Sequence, residues 1–438
     1  MRERWLNAWG TGYAAVGAAS LSLPLRAIEL GAGAFLVGLM ASTAAFAGVP
    51  GAIAWGRLAA RTGRRRPLIL IALGSVAAVL AVVPLASSPW TLLVANAALW
   101  FVVSAAAPVL NLIAIEGVPD AEWDARIARL NAVQGYGWVA GLVVGTVWTA
   151  AATRLRPGAS TQEPLFYLLA ATAGLAFLAT IRWYPAAPTT SMERFDRVFH
   201  RLERREWGAG RFIRSAPYGS TRLYWSVREW LNARRRGRRP ASGFDRSLRR
   251  YLLAATLFSV GFAVFWGPMP AYLTQAGFAT QTVFVAFLLA NAASAVCYMP
   301  VGRLVGTYGP YRIQALALAG RVALFPGVAF VGVAFPAVSL AAIAPAFLLI
   351  GVTWAMIAVT ATGIVTRLTA GDTRGYALGA YTALAGVGTG FGSAAGGALA
   401  AAVGYRIAFV WAGLVVAVGL VVVVGTFPGD LKVPARGR

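Results

Sequence analysis

The side chains of this sequence that could do chemistry are few and stand in unusual places. Arg26 and Glu29 lie three residues apart at the end of an apolar block, a spacing that lets them pair on one helical turn. Arg321 stands alone inside another apolar block, and Glu116 closes a third. An ionisable group in such a block can couple proton movement to a change of shape, and Arg26, Glu29 and Arg321 are the candidates for that coupling chemistry. The stretch GRLAARTGRRRP, residues 56–67, holds five arginines and no acid between two apolar blocks. Catalytic sets are missing: the one histidine, His200, has no ligand set near it, and Cys297 is the one cysteine. No metal site, cofactor site or disulfide framework is therefore expected. No GxxxxGK[ST] loop occurs, so ATP is not the direct energy source, and the chain does not read as an enzyme.

The elements that must position these residues are membrane-spanning helices. Of 438 residues, 58% are hydrophobic and only 12% charged, against about 25% charged in an ordinary soluble domain. The apolar residues fall in blocks of about 20, the length of a helix crossing a hydrocarbon core of about 30 Å. Backbone polar groups in lipid must bond within their own segment, which leaves helices as the solution. Twelve such spans are predicted, from residues 5–25 to residues 407–427. The fold class is an all-α membrane protein of twelve transmembrane helices in two pseudo-symmetric six-helix bundles, residues 1–184 and 250–438.

The net charge of +24 is topological. With the N-terminus in the cytoplasm, the outer connections hold only Arg26, Arg154, Arg156 and Arg406, and Arg321 lies in a span; the other 34 of 39 basic residues fall inside. This asymmetry predicts a multi-pass protein of the inner (cell) membrane with both termini cytoplasmic, and it makes nucleic acid an unneeded partner. The segment 185–249 is predicted to be a basic cytoplasmic linker. Its stretches SMERFDRVFHRLERRE and STRLYWSVREWLNARRRGRR place apolar side chains at three- and four-residue spacing. Basic helices of that kind suit the anionic inner lipid surface, although a plain tether holding the two halves together accounts for them more simply.

A shift of 246 positions maps the second half on the first. It places PLRAIELG (residues 24–31) on PAYLTQAG (270–277) and GRLAARTG (56–63) on GRLVGTYG (302–309) without a gap. Two parallel six-span repeats imply a two-fold axis along the membrane normal and a pathway between the halves.

The stretch at residues 56–67 now has a context. Gly56, Leu58, Arg61, Gly63, Arg64 and Arg65, in the connection after the second span, resemble the signature of the major facilitator superfamily. A weaker copy stands in the second half, and the fifth span carries Gly137, Gly141 and Gly145. The likeness extends to the drug/proton antiporter branch, without the Gly-Pro ending of its fifth span. The resemblance implies alternating access of two halves, with the motif residues gating the inner end. Ala60 stands where the family has an aspartate, so Glu116, Asp372 or their neighbours are the candidates to meet the arginines instead.

The resemblance also makes spans one, four, seven and ten the lining of the pathway. They offer Asn7, Tyr13, Asn96, Trp100, Asn111, Trp266, Tyr272 and Trp354 as substrate-binding candidates. Aromatic rings with a few amides suit amphipathic organic molecules better than phosphates or dicarboxylates. Pro268 and Pro270 should bend the seventh span near its outer side. The expected function is secondary transport of small organic solutes by a monomer, with export of drug-like molecules as the first reading. Uptake of a small metabolite such as a sugar is the alternative. A non-transporting sensor acting through the central segment is the reading of another class.

Overall fold

The computed structural model describes residues 4–62, 65–115, 123–155, 160–184, 244–334, 340–369 and 374–427. It is all helical. Six long helices form the first half: α1 (Arg4–Glu29), α2 (Ala34–Thr62), α3 (Arg65–Val82, extended by a 3-10 turn to Leu85), α4 (Pro89–Ile115), α5 (Trp123–Leu155) and α6 (Gln162–Trp183). The second half contains α7 (Arg246–Trp266), α8 (Met269–Gln275), α9 (Thr280–Tyr308), α10 (Pro310–Ala334), α11 (Leu340–Arg367), α12 (Arg374–Val403) and α13 (Tyr405–Thr426). The short α8 continues α7 as one crossing, broken at Gly267 and Pro268, where proline removes a backbone donor. Among the described residues this makes twelve crossings.

Eleven of the twelve are long and apolar enough to span a bilayer. The exception is α1, and packing explains it. Nineteen of its 26 residues are buried, so it lies inside the bundle and tolerates Ser22 and several glycines that a lipid-facing helix would replace with leucine.

Within each half the packing repeats. Helix α1 packs on α5 and α6, α2 on α4, and α3 on α4 and α6; in the second half α7 packs on α12 and α13, α9 on α11, and α10 on α11 and α13. Each pair is the repeat of its counterpart. The halves meet along α2–α12 and α5–α9, which the repeat also exchanges.

The ungapped repeat survives at the level of single bonds. Gly31 and Gly277 both take positive φ, 91° and 87°, a region open to glycine because it lacks a Cβ. At the first, Gly31 N–H donates to the Ile28 carbonyl and Ala32 N–H to the Ala27 carbonyl; at the second, Gly277 donates to Thr274 and Phe278 to Leu273. The two helix ends close identically.

The motif stretch departs from expectation. Residues 56–62, read as a connection, are the last turns of α2, and residues 302–308 likewise end α9. Alanine, leucine and arginine are strong helix formers, so a helix leaving the apolar layer has no reason to stop there. The linker stretches at 185–243 lie outside the described residues.

Candidate functional site

Below, the side of the bundle on which α1 begins and α13 ends is the terminus side, and the opposite one is the far side. The halves close on each other toward the far side. Helix α2 starts there and α12 ends there, and glycines let their backbones touch. A Cβ on Gly38 would stand 2.5 Å from the Ser393 carbonyl oxygen and 2.7 Å from the Gly397 Cα; one on Gly397 would stand 2.7 Å from the Ala34 carbonyl oxygen. Deeper in the same seam, Phe46 fits over Gly390 and meets Phe391 edge-on at 5.4 Å. At the other seam the Phe284 ring of α9 occupies the space a side chain at Gly145 would need.

The glycine series of α5 therefore splits by role. Gly137 and Gly141 admit the Gly10 and Ala14 carbonyls of α1, inside one half, while Gly145 faces the other half. In α12, Gly388, Gly392 and Gly396 face Thr256, Val260 and Val264 of α7, whereas Gly390 and Gly397 face α2. A four-residue spacing keeps each set on one face of its helix.

Two largely buried aromatic groups stand one in each half. In the first, Trp9, Tyr13, Trp138 and Trp100 follow one another at centroid distances of 6.1, 6.3 and 6.2 Å, joining α1, α5 and α4. In the second, Trp266 of α7 meets Phe287 of α9 at 5.2 Å and Phe347 of α11 at 5.8 Å, and Trp354 of α11 meets Phe262 of α7 at 6.3 Å. Such tilted and edge-on rings are the arrangement their quadrupoles favour. Tyr13, Trp100, Trp266 and Trp354 thus belong to these two groups. Trp138 joins the first group from α5, a span outside those that the resemblance makes the lining; Phe262, four residues before Trp266 on the same helical face, was legible by spacing.

The other candidates lie elsewhere. Asn7 is exposed in a groove between α1 and α6, beside Arg4, Thr11 and Trp183. Asn96 is 3% exposed, and its Nδ2 donates to the Met40 carbonyl at 2.8 Å, so it ties α4 to α2. Asn111 is partly buried near the terminus end of α4. Tyr272 donates its hydroxyl to the Val328 carbonyl at 2.8 Å and packs on Phe409, which fastens α8 to α10 and α13.

Of the motif residues, Gly56, Leu58 and Arg61 ride on the last turns of α2, with Leu58 exposed. Arg65 opens α3 and is buried, and the adjacent Arg66 donates from Nη2 to the Ile181 carbonyl at 2.8 Å, near the C-terminal end of α6. A cation at a helix C-terminus offsets the carbonyl dipoles there. Gly63, Arg64, Glu116 and Asp372 lie outside the described residues.

The ionisable candidates are well defined. Arg26 is 7% exposed; its Nη1 pairs with Glu29 at 3.0 Å and its Nη2 with Glu163 at the start of α6. Ser160 donates to Glu29 at 2.7 Å. This cluster joins α1 to α6 on the far side, inside one half. The sequence reading anticipated the Arg26–Glu29 pair and missed Glu163, whose partner is 137 residues away. Arg321 of α10 is 1% exposed. Its Nε donates to the Thr353 hydroxyl and its Nη2 to the Ile350 carbonyl, both at 3.2 Å. Its guanidinium lies 4.2 Å from the Phe262 centroid and 5.5 Å from Trp354, which fits a cation to aromatic faces. Among the described residues no group of three or more His, Cys, Asp or Glu could hold a metal ion.

Comparison with known proteins agrees with this architecture. The family model described as Major Facilitator Superfamily matches residues 9–370. No curated protein matches the chain in sequence. Among solved structures, a mutant of the nucleoside transporter NupG superposes with a TM-score of 0.70 at 10% identity, covering 97% of this chain and 99% of that one. A bacterial homolog of the human lysosomal transporter Spinster, inward-facing and unoccupied, gives 0.66 at 13% identity over 99% and 98% of the two chains. The human organic anion transporter MFSD10 gives 0.56 at 17% identity over 96% and 98%.

Proposed function

Because the chain belongs to the Major Facilitator Superfamily, and is a transporter rather than an enzyme, we propose that it exports small amphipathic organic solutes by alternating access of its two halves. The observation that carries this reading is the pair of aromatic groups, one from α1, α4 and α5 and one from α7, α9 and α11. Indole and phenyl rings present broad apolar faces with few donors, which favours flat organic solutes over strongly charged ones. The two glycine seams support the motion: backbones in contact at the far side can part as rigid units, because each half keeps its own internal packing.

In this reading the protein sits in the cell membrane as a monomer with cytoplasmic termini, and its basic segment before α7, expected over 185–249 and ended by the helix start at Arg246, rests on anionic lipid. The terminus side is then the cytoplasmic side, and solute enters there when the far side is closed. Residues 56–65, with Glu116 and Asp372, gate that end, and Arg26 with Glu29 and Arg321 carry any coupling to protons. The antiporter likeness is the reason for placing export first.

The test is transport by the purified protein in proteoliposomes. Radiolabelled amphipathic solutes should move faster than in protein-free vesicles and should exchange against the same unlabelled solute. An acid-inside gradient should drive their accumulation if protons are exchanged. Movement of sugars with no movement of amphipathic solutes would replace this reading by the uptake alternative.

A further inference from the structure

Arg321 is a cation held inside the protein with one end unanswered. It is 1% exposed, and among the described residues the ion pairs are those of Arg26, so no carboxylate reaches it. Nε and Nη2 are bonded to Thr353 and Ile350, and Thr353 is itself fixed by donating to the Ile350 carbonyl at 3.0 Å. Nη1 is buried and has no hydrogen-bond partner. Leaving a buried charged group with an unmet donor is unfavourable, and packing alone does not require it: a methionine would fill the same space. The plane of the guanidinium is held by Phe262 at 4.2 Å, with Phe325 and Trp354 each at 5.5 Å. A fork fixed in orientation, with free hydrogens on one edge and aromatic rings on its faces, is built to receive a carboxylate attached to an aromatic body. Trp354 is half-buried, on a helix of the aromatic group already described, which marks the side of approach.

We propose that Arg321 is the subsite for the acidic head group of the transported solute, so that the solutes include aromatic monocarboxylates. The inference rests on the transport reading for its biological sense and narrows its substrate class. The carboxylate accepts from Nη1 and from the second Nη2 hydrogen, and the solute's ring packs beside Phe262 and Trp354. No such role was legible for Arg321, because α10 is not among the spans that the family resemblance makes the lining; only the fold turns its side chain toward α7 and α11.

The test measures binding to the full-length protein in nanodiscs by calorimetry, with indole-3-acetate and other aromatic monocarboxylates set against their neutral amides. The acids should bind at least tenfold more tightly than the amides. Arg321→Gln should remove that preference and change amide binding less than twofold. Arg321→Lys keeps the charge and loses the fork; should the glutamine variant not fold, it decides, with acid binding weakened several-fold and amide binding unchanged. Acids that bind no better than amides, or variants that weaken both alike, overturn the proposal. Transport in proteoliposomes separates the two readings: neutral solutes carried while acids neither bind nor move would sink this inference alone. Acid binding that depends on Arg321 without transport of any solute would sink the transport reading alone.

Discussion

Replacing Gly397 with alanine probes whether the α2–α12 seam holds the far side shut. The added Cβ would stand 2.7 Å from the Ala34 carbonyl oxygen and 2.9 Å from the Gly38 Cα, backbone atoms that cannot rotate aside. Ordinary contact begins at 3.4 Å, so the two helices must separate locally by about 0.7 Å. Overpacking of this size costs about 1–3 kcal/mol. It acts only on the state in which the far ends touch, so the balance of states should move toward far-side opening by about 5- to 150-fold. Spin labels on cysteines at Gly33 and Val403, in a Cys297→Ser background, report the far-side distance by pulsed electron resonance. Gly397→Ala should enlarge the long-distance population, and Gly38→Ala should do the same, since its Cβ meets Ser393 and Gly397 backbone at 2.5 and 2.7 Å. Gly141→Ala is the control: it crowds the Ala14 and Ala18 backbone inside one half. It should lower the melting temperature with the distance distribution intact. Unchanged distributions in both seam variants would refute the assignment of this seam to the gate.

Other consequences can be checked independently. Trp100→Ala and Trp354→Ala should raise the apparent Michaelis constant or shift solute preference in competition assays; a lower melting temperature with preference intact would assign these rings to packing, where such a truncation costs about 3–5 kcal/mol. Asn96→Ala should lose the bond to Met40 and destabilise by about 1–2 kcal/mol, read as a lower denaturation midpoint with transport preference unchanged. Arg26→Gln should leave Glu29 and Glu163 facing each other without their cation and reduce stability by about 1–3 kcal/mol, with Glu163→Gln partly restoring it. A cysteine at Ser242 should react with an impermeant reagent from the cytoplasmic face and one at Ser160 from the outside, as the charge asymmetry requires.

How far the sequence reached can be followed residue by residue. The Arg26–Glu29 pair was legible because both lie on one turn, whereas Glu163 was not, since nothing local links α1 to the start of α6. The repeat at Gly31 and Gly277 was legible as a spacing, and the structure turned it into two matching helix ends. Asn96 looked like a pathway amide because of its span; its amide instead bonds the α2 backbone. The motif stretch looked like a loop because arginines interrupt the apolar run, yet charge ends a membrane crossing without ending a helix.

By itself the sequence determined the membrane class, the twelve crossings and the two-fold repeat, because hydrophobic block length and glycine spacing act within a single segment and need no partner. Tertiary structure decided everything that depends on which helix faces which. It split the α5 glycines between α1 and α9, joined Trp138 to Trp100, and brought Arg321 of α10 against Phe262 and Thr353. A helix in lipid has no hydrophobic stripe to announce its neighbours, since lipid and protein interior are equally apolar. The direction of each side chain is therefore set by close packing of whole helices, which exists only once the bundle has formed.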